Sequence, residues 1–258
     1  MSEAVEELRP AGTSPLLLVC EHASNAVPAA YASLGLPQAE LDRHIGYDIG
    51  AAAVTRGLAE RLDATALLGV VSRLLIDVNR QPWHPGFVPE ESDGTRVPGN
   101  IGIDGVERER RAGRWFWPFQ ARVGAEVNAR LGAGRPLILV TIHSFTPVLG
   151  AEVREWPVGV LYRRAADLGQ VVLEELRPLV PPVVGPVGDN KPYRIEIDGT
   201  DYTVPVHGDD RELPAIAFEV RHDEIDDEAG VAAWTDRLAT ALERTVARVV
   251  EPPAGVTV

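Results

Sequence analysis

Histidine residues follow two strand-like apolar runs in this sequence. His22 comes two residues after LLLVC, and His143 comes directly after PLILVTI. A third run, AIAF, ends in Glu219. Imidazole nitrogens and carboxylate oxygens are usual ligands of a catalytic zinc ion, which takes three protein groups and leaves a fourth position open. If these strand ends meet, their residue types predict a metal centre with a carboxylate beside it.

A further ligand must come from elsewhere in the chain. The segment LDRHIGYDIGA offers His44 and Asp48, which share one face if the segment is helical. Asp48 lies between Tyr47 and Ile49, and a buried carboxylate there would be costly unless it were paired or bound to a metal. The alternative for Asp48 is an acid stabilised by a helix N-terminus. For His44 the alternative is a solvent-facing or supporting histidine, and spacing alone leaves both open.

The elements that must position these residues are strands alternating with helices. Most predicted strands are continuous apolar runs, which is typical of a sheet covered on both faces. Open α/β sheets bind ligands at the carboxyl ends of their strands, so His22, His143 and Glu219 are expected at one edge. The pattern predicts an α/β fold with helices on both sheet faces. Strands are predicted at 16–20, 66–71, 74–78, 136–142, 158–162 and 215–220, and helices at 38–63, 105–132, 164–177 and 227–250.

Composition excludes several classes of partner. The net charge of −13 disfavours binding to nucleic acid or to an anionic membrane. No apolar run reaches the roughly 20 residues of a membrane span, and the N-terminal MSEAVEELRP lacks a signal-peptide pattern, so we expect a cytoplasmic protein. Cys20 is the only cysteine; it excludes an intrachain disulfide and is expected in the core. The sequence does not indicate an oligomeric state.

Proline and glycine are scattered along the chain, which favours one domain over residues 1–258, with loose ends at about 1–12 and 251–258. Two longer segments, 80–103 and 181–213, interrupt the alternation of strands and helices. Loops of this length in a domain are usually functional or disordered. The second contains Tyr193, Arg194, Tyr202 and His207, and we expect it to cover a substrate.

Five motifs in series resemble the N-formylglutamate amidohydrolase family. They are CEHASNAVP, HIGYDIGA, SRLLIDVNR, TIHSFTP and FEVRHDEI, and the likeness runs from about residue 15 to 245. The resemblance implies a three-layer α/β/α fold with a mixed, mostly parallel sheet, of the phosphorylase/hydrolase kind and related to zinc exopeptidases. It also implies one catalytic Zn²⁺ held by His22, Asp48 and His143, with Glu219 as the general base. Glu21 is the rival carboxylate ligand, although we expect it to support the site without touching the metal.

The reaction implied by the resemblance is hydrolysis of the N-acyl amide of an acidic amino acid, with N-formylglutamate as the leading substrate. The first motif differs from the shorter PHSG type of the best-defined deformylases, and GDNKPY and EVRHD resemble a divergent branch of predicted amidohydrolases. Another amide or peptide, such as a cell-wall amide, therefore stays open as the substrate. A non-catalytic protein that binds a metal or a small ligand on the same scaffold is the alternative from a different class.

An amino-acid substrate carries a carboxylate, which arginine binds with two hydrogen bonds. Asp77 is expected to orient an arginine or a metal-binding histidine, and Ser144 to support the site without acting as a nucleophile. The candidates for substrate binding are Arg73, Asn79, Arg80, Arg194, His207 and Arg221.

Overall fold

Strands and helices alternate along the chain in the computed structural model, which describes residues 4–196 and 198–250. The strands are β1 (Val5–Leu8), β2 (Leu16–Cys20), β3 (Thr65–Gly69), β4 (Glu91–Ser92), β5 (Thr95–Arg96), β6 (Ile138–Phe145), β7 (Val148–Leu149), β8 (Glu152–Val153), β9 (Val158–Leu161), β10 (Val187–Asp189) and β11 (Ala215–Arg221). The helices are α1 (Gln38–Leu41), α2 (Ala51–Arg61), α3 (Gly105–Arg111), α4 (Trp117–Gly132), α5 (Ala166–Leu176) and α6 (Glu228–Val249). None of the helices in these two ranges combines the length and the hydrophobicity of a membrane span.

Seven strands form one sheet in the order β1-β3-β2-β6-β11-β9-β10. The four central strands β3, β2, β6 and β11 are parallel neighbours. β1 and β9 join them antiparallel, and β10 pairs parallel with β9. This arrangement confirms the predicted mixed, mostly parallel sheet.

The two faces of the sheet are covered by different helices. Along β2, Leu17 and Val19 pack into a core that also holds Phe119 and Val123 of α4. The alternate residues of β2, among them the fully buried Cys20, pack into a second core with α2, α5 and α6. Because successive side chains of a strand point to opposite faces, one apolar run supplies both cores. The result is the predicted three-layer α/β/α fold.

The N-terminal residues that the sequence predicts to be loose contain β1, so that prediction is wrong for the described part. Val5 is buried, and β1 pairs with β3 from Val5 to Leu8. The exposed acids of the strand also pair with helices, Glu6 with Arg56 of α2 and Glu7 with Arg122 of α4. The predicted loose tail, 251–258, lies outside the described residues.

Residues 74–78 do not form the predicted strand, although they are buried. Their carbonyl groups bond to side chains instead of to a neighbouring strand. Asn100 Nδ2, Arg111 Nη1 and Gln120 Nε2 donate to carbonyl oxygens of this segment over 2.7, 3.0 and 2.6 Å. Buried carbonyl groups need a partner but not a sheet. The apolar pattern therefore predicts the burial of this segment correctly and its conformation wrongly.

The single helix predicted at 38–63 is also wrong, because α1 and α2 are separated by an irregular stretch that carries Asp48. Gly50 ends this stretch with a φ of +78°, a conformation that favours glycine. A Cβ atom at Gly50 would lie 2.2 Å from the carbonyl oxygen of Ile225. Asp48 consequently lies in the turn before α2 and not on a helix face.

The long segments contain short elements that the sequence did not resolve. The β4–β5 hairpin lies within 80–103. Segment 181–213 contains β10 and a π-helical turn, Val204–Gly208. A further π-helical turn, Ala112–Phe116, joins α3 to α4.

The partners of Arg111 predict its contribution to stability. Its buried guanidinium donates to Leu75 O, Asn100 Oδ1, Gly99 O and Glu107 Oε1. Arg111→Leu should lower the free energy of unfolding by about 3 kcal/mol, because buried acceptors lose their donor. Urea denaturation measures this. Arg110→Leu is the matched control, since the Arg110 side chain is 66% exposed and also pairs with Glu107; equal losses in the two variants would contradict the role given to Arg111.

Candidate active site

Three neighbouring strands bring the predicted histidines and glutamate to one edge of the sheet. β6 lies between β2 and β11, and His143 is directly opposite Glu219 in the parallel pairing of β6 with β11. His22, His143 and Glu219 line one cavity of about 470 Å³. A larger groove of about 750 Å³ lies between α2 and α6, but none of the predicted site residues lines it. The chemistry therefore concentrates in the smaller cavity at the strand ends.

Asp48 joins the two histidines at this edge. Its backbone N–H donates to the carbonyl oxygen of His22 over 2.9 Å, which fixes the turn before α2. Asp48 Oδ2 lies 2.9 Å from His143 Nδ1 and 3.4 Å from His22 Nδ1. The Ser144 N–H donates to the same oxygen over 3.3 Å, as a supporting residue would. His44 contacts Asp93 instead and does not belong to the cluster.

The outer nitrogen of each histidine faces a second carboxylate. His22 Nε2 lies 2.7 Å from Asp77 Oδ1, and His143 Nε2 lies 3.3 Å from Glu21 Oε2. A carboxylate at the outer nitrogen holds the hydrogen there and leaves the other nitrogen free to bind a metal. Asp77 thus hydrogen-bonds a histidine, whereas the carboxylate oxygens of Glu21 make no hydrogen bond within the described ranges and contact His143 only as an ion pair.

The cluster fits a transition-metal ion such as zinc. The three inner ligand atoms, from His22, Asp48 and His143, all lie within 4.8 Å of one another. Ligands of a tetrahedral zinc ion are about 3.3 Å apart, which follows from bond lengths of about 2.0–2.1 Å. His22 Nδ1 is buried and makes no hydrogen bond to any residue in the described ranges. A buried nitrogen of this kind, aimed at a carboxylate, is where a metal would provide the missing partner.

Electrostatics in the metal-free cluster favour protonated histidines. Burial alone would lower the pKa of His143, but the charges of Glu21 and Asp48 raise it well above its usual value. The pKa of His22 is likewise raised by Asp77 and Asp48 against the effect of burial. The carboxyl groups show the opposite shift, since the histidines lower the pKa values of Asp48 and Asp77 although burial opposes this. A metal must therefore displace protons from this cluster.

Arg73 and Arg80 line the cavity but are bound to the cluster. Arg73 donates to Asp48 Oδ1 over 3.2 Å and to Asp77 Oδ2 over 2.9 Å. Arg80 Nε lies 3.2 Å from Asp77 Oδ2, and its Nη1 donates to Thr200 O. Arg194 lines the same cavity and makes no hydrogen bond or ion pair within the described ranges. Of the predicted arginines, Arg194 is thus the one whose guanidinium is open to a ligand.

Asn79 connects the two long loops instead of facing the cavity with a free amide. Its Oδ1 accepts hydrogen bonds from the N–H groups of Tyr202 and Thr203, and its Nδ2 donates to Asp201. Asp201 lines the cavity, and burial raises its pKa to about 6. Sequence reasoning missed Asp201, because an acid among Gly, Thr and Tyr in a loop carries no distinguishing signal.

Two predicted substrate-binding residues lie outside this cavity, which corrects the sequence analysis. His207 is buried, and its Nε2 contacts Gln120 Oε1 at 2.8 Å. Burial lowers the pKa of His207 to about 4, so it is neutral at pH 7. Arg221 donates to Asp223 and Glu224 beyond the end of β11. Arg221 follows Glu219 on the same strand, but these acids and the carbonyl oxygen of Arg154 hold its guanidinium away from the cavity.

Comparison with known proteins gives a family and a fold. Residues 14–225 match the family model described as N-formylglutamate amidohydrolase. The crystal structure of the gene product Atu2144 from Agrobacterium tumefaciens has 34% sequence identity and a TM-score of 0.91, over 96% of this chain and 97% of that chain. The N-formylglutamate amidohydrolase from Ralstonia eutropha JMP134 has the same fold at 18% identity, with a TM-score of 0.66 over 98% and 99% of the two chains. No curated protein matches the sequence.

Metal binding should release protons. The raised pKa values of His22 and His143 mean that zinc added to metal-free protein at pH 7 should displace up to two protons per ion. Zinc affinity should fall as the pH drops, and the fall should begin above the ordinary histidine pKa of about 6.5. Calorimetric titration in buffers of different ionisation enthalpy, repeated at several pH values, measures the number of released protons and the zinc affinity. His44→Gln is the control and should release as many protons per zinc ion as the wild type. An unchanged number of released protons in His22→Gln would contradict the assignment of His22 as a metal ligand.

Proposed function

The chain belongs to the N-formylglutamate amidohydrolase family, and we propose that it uses one zinc ion to hydrolyse the N-acyl amide of an acidic amino acid. The leading substrate is N-formylglutamate, which would give formate and glutamate. The observation that carries this proposal is the cluster of His22, Asp48 and His143 beside Glu219 in one cavity. A pure binding protein would need the cluster but not the adjacent glutamate.

The proposed metal ligands are His22 and His143 through Nδ1 and Asp48 through its carboxylate. When bound, zinc supplies Lewis acidity, which makes an amide carbonyl more electrophilic and a water molecule more acidic. Asp77 holds the His22 ring by a hydrogen bond in the orientation that leaves Nδ1 free, and the charge of Glu21 lies 3.3 Å from the outer nitrogen of His143. Arg73 limits the rotation of Asp48 by donating to its Oδ1.

Glu219 is the proposed general base and then general acid. Its carboxylate accepts a proton from the attacking water and passes it to the leaving nitrogen, which departs as an amine. Burial raises the pKa of Glu219 to about 7, and the charges of Asp48 and Asp201 act in the same direction. A carboxyl group with a pKa near neutrality exchanges protons readily in both directions. No hydrogen bond within the described ranges holds Glu219 away from the cavity.

Arg194 is the proposed clamp for a substrate carboxylate, because its guanidinium makes no hydrogen bond or ion pair in the described ranges. Its planar fork matches a carboxylate with two hydrogen bonds. Arg80 lines the same cavity and adds a second positive charge to it. Three acids, Glu196, Asp198 and Asp201, also line the cavity. A substrate with a positively charged side chain would therefore compete with an acidic one for this cavity.

The proposal is tested by elemental analysis and by formate release. Purified full-length protein should contain one zinc per chain and release formate from N-formylglutamate. The panel should include N-acetylglutamate, N-formyllysine and a cell-wall dipeptide amide. Greater activity on N-formyllysine would mean that the acids of the cavity, and not Arg194, select the substrate. Folded protein that binds zinc and hydrolyses no member of the panel would leave only a binding function.

Glu219→Gln should retain zinc and lose nearly all turnover, with kcat falling by about a thousandfold or more. The amide is similar in size to the carboxylate but cannot accept the proton. Formate release and zinc content are measured on the same preparation. Glu155→Gln, an acid that does not line the cavity, is the control. If Glu219→Gln loses zinc, Glu219 is a ligand and not the base.

Arg194→Met should raise KM about ten- to hundredfold while kcat changes little, because a charge-assisted hydrogen bond contributes about 1.5–3 kcal/mol to ground-state and transition-state binding alike. Initial rates at varied substrate concentration separate the two constants. Lys191→Met removes a cation from the same loop that does not line the cavity and should leave both constants unchanged. Equal effects of the two substitutions would mean that the loop acts only through its net charge.

A further inference from the structure

We propose that Tyr193 is a further catalytic residue, whose hydroxyl donates a hydrogen bond to the carbonyl oxygen of the scissile amide as that oxygen becomes negative. Arg154 is its positioning residue. This inference rests on the proposed amide hydrolysis.

Arg154 and Tyr193 form a close pair beside the cavity. Arg154 Nη1 donates to the Tyr193 hydroxyl oxygen over 2.5 Å, and the guanidinium carbon lies 4.6 Å from the centre of the Tyr193 ring. Phe145, the last residue of β6, lies under the same guanidinium at 5.8 Å. The stack therefore connects the phenol to the strand that carries His143. Such a connection fixes the hydroxyl more firmly than its position in a loop would suggest.

The buried arginine determines which way the phenol can donate. Arg154 is only 2% exposed, and its Nε makes no hydrogen bond in the described part of the chain. Since a guanidinium has donors and no acceptor, the Tyr193 oxygen must be the acceptor in this pair. The hydroxyl hydrogen then points away from Arg154. Tyr193 is 39% exposed and lines the cavity together with Glu219, so an acceptor can reach that hydrogen.

Three other side-chain donors that line the cavity in the described ranges are engaged by neighbouring residues. Asn79 Nδ2 donates to Asp201, Ser144 Oγ to Ile49 O and Thr200 Oγ1 to Asp198. The remaining lining donors divide into two groups: the cluster residues His22, His143, Arg73 and Arg80, and the pair Tyr193 and Arg194. Arg194 is proposed to hold the substrate carboxylate. Among the hydroxyl groups that line the cavity in the described ranges, Tyr193 is the one whose hydrogen has no acceptor, and it is the proposed donor for the reacting carbonyl.

The environment of Tyr193 also keeps its hydrogen in place. Burial and the negative charge of Glu219 raise the pKa of Tyr193, so the phenol stays protonated at neutral pH. The interaction with Glu219 indicates that the two groups face the same space. A fixed donor aimed at developing negative charge stabilises the transition state more than the ground state.

The test is Tyr193→Phe, assayed on the N-acyl amino acid that the wild type hydrolyses fastest. We expect kcat to fall by about a hundredfold with KM little changed, as for loss of one oxyanion donor. Zinc content should stay at the wild-type value. Tyr202→Phe is the matched control, because Tyr202 lies in the same segment but packs on Phe116 and does not line the cavity. An unchanged kcat in Tyr193→Phe, or a rise in KM alone, would overturn the proposal.

The role of Arg154 has a spectroscopic test that needs no turnover. Arg154→Met removes the cation beside the phenol, so the ionisation of Tyr193 should move to higher pH. The ultraviolet absorbance of tyrosinate measures it, with Tyr193→Phe as the reference that removes this signal. Arg154→Lys should restore part of kcat and part of the shift. If the wild type hydrolyses no amide, the proposed function fails, whereas an unshifted titration in Arg154→Met contradicts the positioning role alone.

Discussion

The edge of the sheet that carries the candidate active site depends on the hydrogen bonds and ion pairs of the Asp77 carboxylate. It lies within 3.2 Å of His22 Nε2, Arg73 Nη2 and Arg80 Nε, and it also accepts from the backbone N–H of Asn79. One buried acid thereby fixes the imidazole of a proposed metal ligand, two guanidinium groups and the start of a long loop. A buried charge with this many donors is stable only while all of them are present. Removing Asp77 would leave all four of these donors without their common partner.

Sequence reasoning located the parts of the site that follow strands. His22, His143 and Glu219 could be predicted to meet because continuous apolar runs indicate a covered parallel sheet and such sheets gather ligands at the carboxyl ends of their strands. The family resemblance then selected Asp48, whose turn before α2 depends on Gly50 and on a hydrogen bond to His22. A helical pattern over 38–63 indicates neither the positive φ of Gly50 nor the hydrogen bond between Asp48 and His22.

The rest of the site could not be predicted, because its side chains meet across long loops. Segment 74–78 resembles a strand, and only the buried donors from distant Asn100, Arg111 and Gln120 explain why it is not one. His207 and Arg221 had suitable chemistry, yet Gln120 and a pair of surface acids engage them first. Residue type alone does not tell whether a polar side chain faces a substrate or a neighbour.

The pairing of Glu219 with His143 across neighbouring strands has a consequence for how this fold can vary. Adjacent strands are held about 4.8 Å apart by main-chain hydrogen bonds. The separation between the proposed base and a proposed metal ligand is therefore set by the backbone, which no side-chain substitution in the loops alters. The loops that supply Arg194 and Asp201 are free of that restraint. In the proposed reaction, the sheet would keep the spacing of the base and the metal ligand constant. The loop residues that contact the substrate could change without altering that spacing.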